Sequence, residues 1–258
     1  MKKLMLLSTA LLWCTGTLLA QDYKTKLGKD QKVWIEMDFS NVRIEGHNGD
    51  DVIISGGKTE TPPERAKGLK PLYNSAVDNT GLGVAVTQEN GNLKIEKASR
   101  SSNAITIRIP KKAAVMYEQM SWMGGSNITV NNFDGDLEIK TKNGNIELSN
   151  VTGPVVANTT SGEIVVVYSA LNQEKPSALS TISGEIDVTL PANTKSNLKL
   201  RSINGEMYTD FDLGLKNNVK DGLPKVAGGN NINGAINGGG VEIQLKTISS
   251  NIYVRKQK

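Results

Sequence analysis

The chain has 258 residues, with 30 Lys and Arg against 26 Asp and Glu, one His and one Cys. So even a charge balance, with no basic stripe interleaved with aromatics, excludes a nucleic-acid partner. A single cysteine and a single histidine exclude a disulfide framework and a His- or Cys-built metal site.

Met1-Lys2-Lys3 leads into an apolar stretch, Leu4 to Ala20. A short basic head, a short apolar core and a small residue before a cut are the parts of a secretory signal peptide. The expected cut is Ala20/Gln21, although Leu18 is larger than the usual residue at its place. The stretch is shorter than the roughly 20 apolar residues of a spanning helix, and no later segment approaches that length. Cys14 follows Trp13, where lipid attachment wants a small residue. Removing residues 1–20 takes Lys2 and Lys3 and no acid, leaving 28 basic against 26 acidic groups, a net +2.

Downstream, short runs that alternate apolar and polar residues recur between Gly, Asn, Asp and Ser turns, the pattern of strands. Val33–Met37, Val42–Glu45, Val52–Ser55, Val84–Thr87, Leu93–Glu96 and Ile105–Ile109 are read as strands. Pro110 and Pro191 each close such a run, since proline has no N–H to donate. An irregular stretch over 56–81 holds Pro62, Pro63 and Pro71, and Pro63–Lys70 is its best candidate for a short helix. A second irregular stretch, 214–240, is rich in Gly and Asn. Long loops on a rigid scaffold are where binding residues collect.

From Leu137 the chain repeats. LEIKTKNGNIEL (137–148), VVANTTSGEIVV (155–166), SALSTISGEIDV (177–188), LKLRSINGEMYT (198–209) and IQLKTISSNIYV (243–254) share one form: alternating apolar residues, Thr, Asn or Ser with Gly, then an Ile-type residue. That last position falls at 128, 146, 164, 186, 207 and 252, in steps of 18, 18, 22, 21 and 45. The final step is read as about two periods. Glycines at 135, 144, 153 and 162 mark half-steps, so each coil has two straight runs and two corners. A two-residue hairpin accounts for one repeat equally well. Only parallel, in-register coils reward like-on-like columns such as Thr141, Thr159, Thr181, Ser202 and Thr247. The expected fold is all-β: one parallel β-solenoid domain over 21–258, right-handed and β-helix-like, with coils of 18–22 residues. A hairpin-based sandwich or propeller is the alternative. Gly144, Gly162, Gly184 and Gly205 are expected at positive φ along one edge, with Ser250 in a looser terminal corner.

Several side chains are candidates for chemistry. His47 lies in an Asn/Gly/Asp turn and reads as a turn residue. Asp50-Asp51 and Asp210 with Asp212 are carboxylate pairs, useful for glycoside hydrolysis only if another acid stands opposite. Glu163, Glu185 and Glu206 follow the corner residue in three successive repeats and are expected to form one column spaced near 5 Å. Such a column is a solvated edge or, with six to eight oxygens, a calcium site. The Thr column is expected to point inward. Met116, Tyr117, Met120, Trp122 and Met123 form the densest aromatic and thioether cluster, either core or an exposed platform.

The succession Val42–Gly46, Ile105–Pro110, Gly125–Val130, Gly135–Val166, Leu190-Pro191 and Asn251–Val254 resembles the bacterial putative-adhesin family of unknown function, the toast-rack type of exported β-solenoid. The likeness covers most of residues 33–256. It implies a fold, an envelope location and an adhesin label, and it supplies no catalytic motif. The expected function is a non-enzymatic binding or structural module of the envelope, in the periplasm, at the outer membrane or outside the cell. No cofactor is expected. Its partner would be an unknown protein or glycan of the envelope, contacted through Trp122, Tyr117, Glu163, Glu185 or Glu206. The alternatives are a carbohydrate-active β-helix enzyme and an envelope-stress sensor or scaffold.

Overall fold

The computed structural model describes residues 22–58, 63–69, 76–119, 121–123, 125–215, 218–220, 223–225 and 230–258. The expected signal segment, Cys14 and Met120 therefore lie outside the described residues. The N-terminal strands are β1 (Tyr23–Lys26), β2 (Lys32–Glu36), β3 (Ser40–His47), β4 (Asp51–Gly56), β5 (Val84–Glu89), β6 (Asn92–Lys97) and β7 (Asn103–Pro110). The middle holds β8 (Ala114–Gln119), β9 (Ile128–Phe133), β10 (Leu137–Asn143), β11 (Ile146–Val151), β12 (Val155–Ser161), β13 (Ile164–Tyr168), β14 (Ser177–Ser183) and β15 (Ile186–Leu190). The last are β16 (Ser196–Ser202), β17 (Met207–Thr209), β18 (Asn218–Lys220), β19 (Leu223–Lys225), β20 (Asn231–Ile236), β21 (Val241–Thr247) and β22 (Ile252–Lys256). Helical structure among the described residues is one 3-10 turn, Glu64–Ala66, inside the stretch expected to nucleate a helix.

Two ten-stranded sheets carry the fold, in the orders β1-β4-β7-β3-β9-β11-β13-β15-β22-β17 and β20-β16-β21-β14-β12-β10-β8-β2-β6-β5. Each coil sends one strand to the second sheet and the next to the first, and neighbouring coils pair in parallel. The β10–β12 ladder sets Leu137 beside Val155, Ile139 beside Ala157 and Thr141 beside Thr159. The Ile column is continuous, with Ile128 beside Ile146, then Ile164, then Ile186. These residues are buried between the sheets. Each such side chain stabilises by roughly 1.5–3 kcal/mol relative to exposure, and this explains why the alternation is strict in the middle of the chain.

Coil order departs from chain order at both ends. Ile252 pairs with Ile186 on one side and Met207 on the other, so β21 and β22 lie between coils that precede them in sequence. At the other end β2 and β3 lie between β6/β7 and β8/β9. The 45-residue step therefore does not hide a further coil in line. Its chain leaves β17 and returns through β20, which pairs antiparallel with β16 and closes the second sheet. Likewise β4 joins β7, β1 joins β4, and β5 joins β6, all antiparallel. β20, from the second irregular stretch, and β1, β4 and β5 at the other end thus act as caps, which blunt edges that a solenoid otherwise leaves open.

The corner glycines are stacked, and the expected reason covers only two of the four. Gly144 and Gly162 hold the expected positive φ, at 149° and 156°, whereas Gly184 and Gly205 do not. What excludes a side chain at all four is the coil beneath. A Cβ on Gly162 would stand 2.1 Å from the Gly144 carbonyl oxygen, on Gly184 1.8 Å from that of Gly162, and on Gly205 1.9 Å from that of Ser250. Ser250 is no terminal corner either, since it sits under Gly205 inside the stack. The Thr column uses the same carbonyls. Thr181 Oγ1 donates to Gly162 O at 3.3 Å, Thr247 Oγ1 to Gly184 O at 3.2 Å, and Ser202 Oγ to Ser250 O at 2.9 Å. The Thr-x-x-Gly spacing thus brings one carbonyl within reach of a hydroxyl and keeps a methyl away from it. Thr141 Oγ1, at the start of the regular column, is buried without a partner.

Candidate binding surface

Beside the stacked glycines, exposed apolar residues fall into two groups, separated by the coils that carry Lys142 and Thr160. Phe39, Trp122, Met123, Ile182 and Ile203 are all exposed and all lie on this one edge of the stack. Phe39 holds a left-handed φ of 54°, uncommon for an aromatic residue, which turns its ring outward under the Lys97 ammonium at 5.5 Å. Trp122 is 57% exposed with Lys142 5.6 Å from its ring. The loop carrying it is held by buried Gln119, whose Nε2 donates to Ser121 O at 2.5 Å and whose Oε1 accepts from Lys142 N at 2.9 Å. The expected aromatic cluster therefore divides. Trp122 and Met123 reach solvent, whereas Tyr117 is fully buried, its hydroxyl 3.4 Å from Met37 O. Burial, then the charge of Asp38, pushes the Tyr117 phenol well above its ordinary range. Tyr117 is core and does not reach a ligand at the surface.

Across the corner, on the outer face of the first sheet, runs a column of residues next to the glycines. It begins as an asparagine ladder, Asn41 Oδ1 accepting from Asn127 N at 3.0 Å, Asn127 Oδ1 from Asn145 N at 3.0 Å, and Asn145 Oδ1 from Glu163 N at 3.0 Å. Glu163 and Glu185 follow on paired strands, but the continuous glutamate column is interrupted. Asn251 stands between Glu185 and Glu206, with its Oδ1 taking Glu206 N at 2.9 Å and its Nδ2 reaching Glu185 Oε1 at 3.4 Å. Burial, then the charges of Glu185, Asp187 and Glu147, hold the Glu163 carboxyl above the usual carboxylate range. Among the described residues no group of three or more His, Cys, Asp or Glu is placed to hold a metal ion.

The next column of this face ends in two residues the sequence reading passed over. Tyr208 and Tyr253 pair across β17 and β22, with ring centroids 5.4 Å apart and planes at 10°. Behind Tyr253 the Arg255 guanidinium lies 5.0 Å from the ring, pinned by Asp187, whose two oxygens each accept from Nε at 2.9 Å. Tyr208 donates its hydroxyl to Glu206 Oε2 at 2.6 Å, a bond that raises the phenol pKa. A signal for this pair existed, because Tyr208 and Tyr253 occupy the same place in their repeats, each one residue after the Ile-type position.

The other candidates are absorbed locally. His47 Nε2 meets Asp51 O at 2.8 Å and its Nδ1 accepts Gly49 N at 2.9 Å, so both ring nitrogens serve the turn. Asp51 pairs with Lys24 at 2.8 Å. Asp210 accepts Lys256 N at 2.8 Å and Asp212 accepts Gly214 N at 2.9 Å. Concavities on the outer faces are shallow. One of about 310 Å³ is lined by Asn41, Arg43, Thr106, Asn127, Thr129 and Glu147. Another of about 340 Å³, on the second sheet, includes Met116, Pro154, Val156, Pro176, Lys32 and Lys175.

Two long, mostly parallel sheets of stacked coils, with ordered columns on their outer faces, define a β-solenoid. Residues 136–255 match the family model described as Toastrack DUF4097. No curated protein matches the sequence. Among solved structures, the chain is similar to one described as a putative cell adhesion protein from Clostridium sporogenes, at 13% identity and a TM-score of 0.43, covering 93% of this chain and 100% of that one. It is also similar to one described as a putative adhesin from Bacteroides fragilis, at 11% identity and a TM-score of 0.39, covering 93% and 98%. A third, described as a putative lipid binding protein from Parabacteroides distasonis, has 12% identity and a TM-score of 0.26, covering 92% and 97%. No helix among the described residues is long and apolar enough to cross a membrane.

Proposed function

We propose that this protein is an exported, non-catalytic binding module of the bacterial cell envelope, adhesin-like in that it holds a protein or glycan against a rigid surface. The observation that carries this reading is the exposed apolar group of Phe39, Trp122 and Met123 on two adjacent coils, with Ile182 and Ile203 exposed further along the same edge of a stiff stack. Apolar side chains in contiguous exposed arrays mark interaction sites, whereas scattered ones do not. The carboxylates that a β-helix hydrolase or lyase would need are instead bonded to backbone or to basic partners, as at Asp51, Asp187, Asp210 and Asp212.

The test is a pelleting assay with the full exported chain and isolated bacterial envelopes, preceded by intact-mass measurement, which should give a chain beginning at Gln21. Saturable binding, weakened several-fold in Trp122→Ala with Met123→Ser, is expected. No binding to any envelope fraction, or release of shortened polysaccharide during incubation, would overturn the reading.

A further inference from the structure

The stack at the open end of the first sheet is a second, independent surface. β17 is the last strand of that sheet, so one face of the Tyr208 ring has Tyr253 beside it and the other, among the described residues, has no strand beside it. The ring is 48% exposed. Its position is fixed from behind in layers, because Asp187 holds Arg255 over Tyr253, and Tyr253 stacks on Tyr208. Asn251 adds a bond from its Nδ2 to the Tyr253 hydroxyl at 3.0 Å. Rings immobilised before a ligand arrives lose little freedom on binding. Glu206 takes the Tyr208 hydroxyl at 2.6 Å, and Asp210, in the bend that follows β17, is held by Lys256 N on one oxygen at 2.8 Å.

We infer that the Tyr208–Tyr253 stack is a carbohydrate-binding site, which takes the apolar C–H face of a pyranose ring on the open side of Tyr208 and its hydroxyls on Glu206 and Asp210. The chemistry selects this class. The face of an aromatic ring is negative and attracts the slightly positive C–H hydrogens of a sugar. Carboxylates are acceptors only and match ligand hydroxyls, which can donate. Around the stack Glu185, Asp187, Glu206 and Asp210 outnumber Arg255 and Lys256, so the local charge balance is acidic. A phosphate- or uronate-rich polymer is thereby disfavoured, and a neutral or amino-bearing glycan is admitted. One ring and two acids match the size of a sugar unit, whereas a stable protein interface needs about 1,000 Å² or more. The inference rests on the reading of the chain as a binding module, but it uses a different surface from the apolar edge.

The experiment applies the full exported chain to an array of neutral, amino-bearing and acidic oligosaccharides, with Tyr208→Ala, Tyr208→Phe and Trp122→Ala alongside. Binding to neutral or amino-bearing members is expected. Tyr208→Ala should weaken it about tenfold, the scale of one aromatic contact. Tyr208→Phe should keep most of the affinity and Trp122→Ala all of it. Asp210→Asn, which keeps an acceptor for Lys256 N, should weaken binding about threefold and serves if Tyr208→Ala melts early. An array left blank by a chain that still pellets with envelopes overturns this inference and leaves the binding module standing. Sugar binding that survives Tyr208→Ala, or that prefers acidic members, also overturns it.

Discussion

The middle of the stack and its two ends follow different rules. From β9 to β15 each coil lies on the one before it in sequence, the same residue types meet at each level, and one corner carbonyl after another is approached by a glycine and by a Thr hydroxyl. At the ends the coil order is exchanged, pairing turns antiparallel, and the residues between coils become caps. Repetition suffices where a coil has neighbours above and below it. Where one neighbour is missing, the chain needs extra segments whose sequence owes nothing to the repeat.

The sharpest way to break this contrast is at the corner glycines. Gly184→Ala places a methyl 1.8 Å from a backbone oxygen in the stacked middle, where a single coil cannot yield alone. A loss of about 3 kcal/mol or more is expected, since overpacking a tight site costs about 1–3 kcal/mol and occasionally more. In a domain of this size that lowers the melting temperature by roughly 6–12 °C. Gly125→Ala, with nothing within 4 Å, should stay within about 0.5 kcal/mol. Equal melting of the two variants would mean that the coils do not stack in this register.

The hydroxyl column allows a finer cut. Thr247→Val removes the donor to Gly184 O and should cost about 1 kcal/mol. Thr141→Val removes a buried hydroxyl that has no partner and should be neutral or stabilising. Denaturant unfolding of both variants distinguishes a column that bonds coil to coil from one that merely fills space, because the latter predicts the same result at both positions.

The smallest effect belongs to the acidic part of the outer face. The folded-state pKa of Glu163 is raised, by burial first and then by Glu185, Asp187 and Glu147. The ionised form is therefore disfavoured in the fold, and the stability associated with this group is full below its unfolded pKa and is lost as pH rises through the folded value. Glu163→Gln should melt slightly higher than wild type at neutral pH. That gap should close as the buffer is taken below pH 4.5, the ordinary value for the group. Melting curves across that range test the sign.

Much of the fold was legible because the repeat is redundant. The Thr row, the Ile column and the corner glycines each indicate the same register, and Leu137–Val188 shows it without gaps. What stayed hidden was the order of the coils. Every coil presents Ile above and Ile below, so Ile252 fits equally well beside Ile186 or beyond Met207, and like-on-like packing cannot choose between them. That one ambiguity produced the unbroken glutamate column, the looser corner at Ser250 and the missed tyrosine stack, since each depends on Asn251 and Tyr253 lying between coils that come earlier in the chain. The glycines were correctly placed and half explained: positive φ holds at Gly144 and Gly162, but the tight backbone approach that all four share asks for the same residue and leaves no separate mark in the sequence. Tyr117 and Trp122, five residues apart, could not be separated into core and surface by spacing alone, since the loop after Gln119 breaks the alternation.

The exchanged order at the C-terminal end has a consequence for assembly. β14/β15 and β16/β17 are synthesised before β21/β22, yet their ladders join only through that last coil. A chain that emerges N-terminus first must therefore keep a slot two strands wide until residues 241–256 appear, or close it wrongly and reopen it. Completion of the stack is tied to the arrival of its last coil, and a ribosome or export channel still holding that segment holds an unfinished fold.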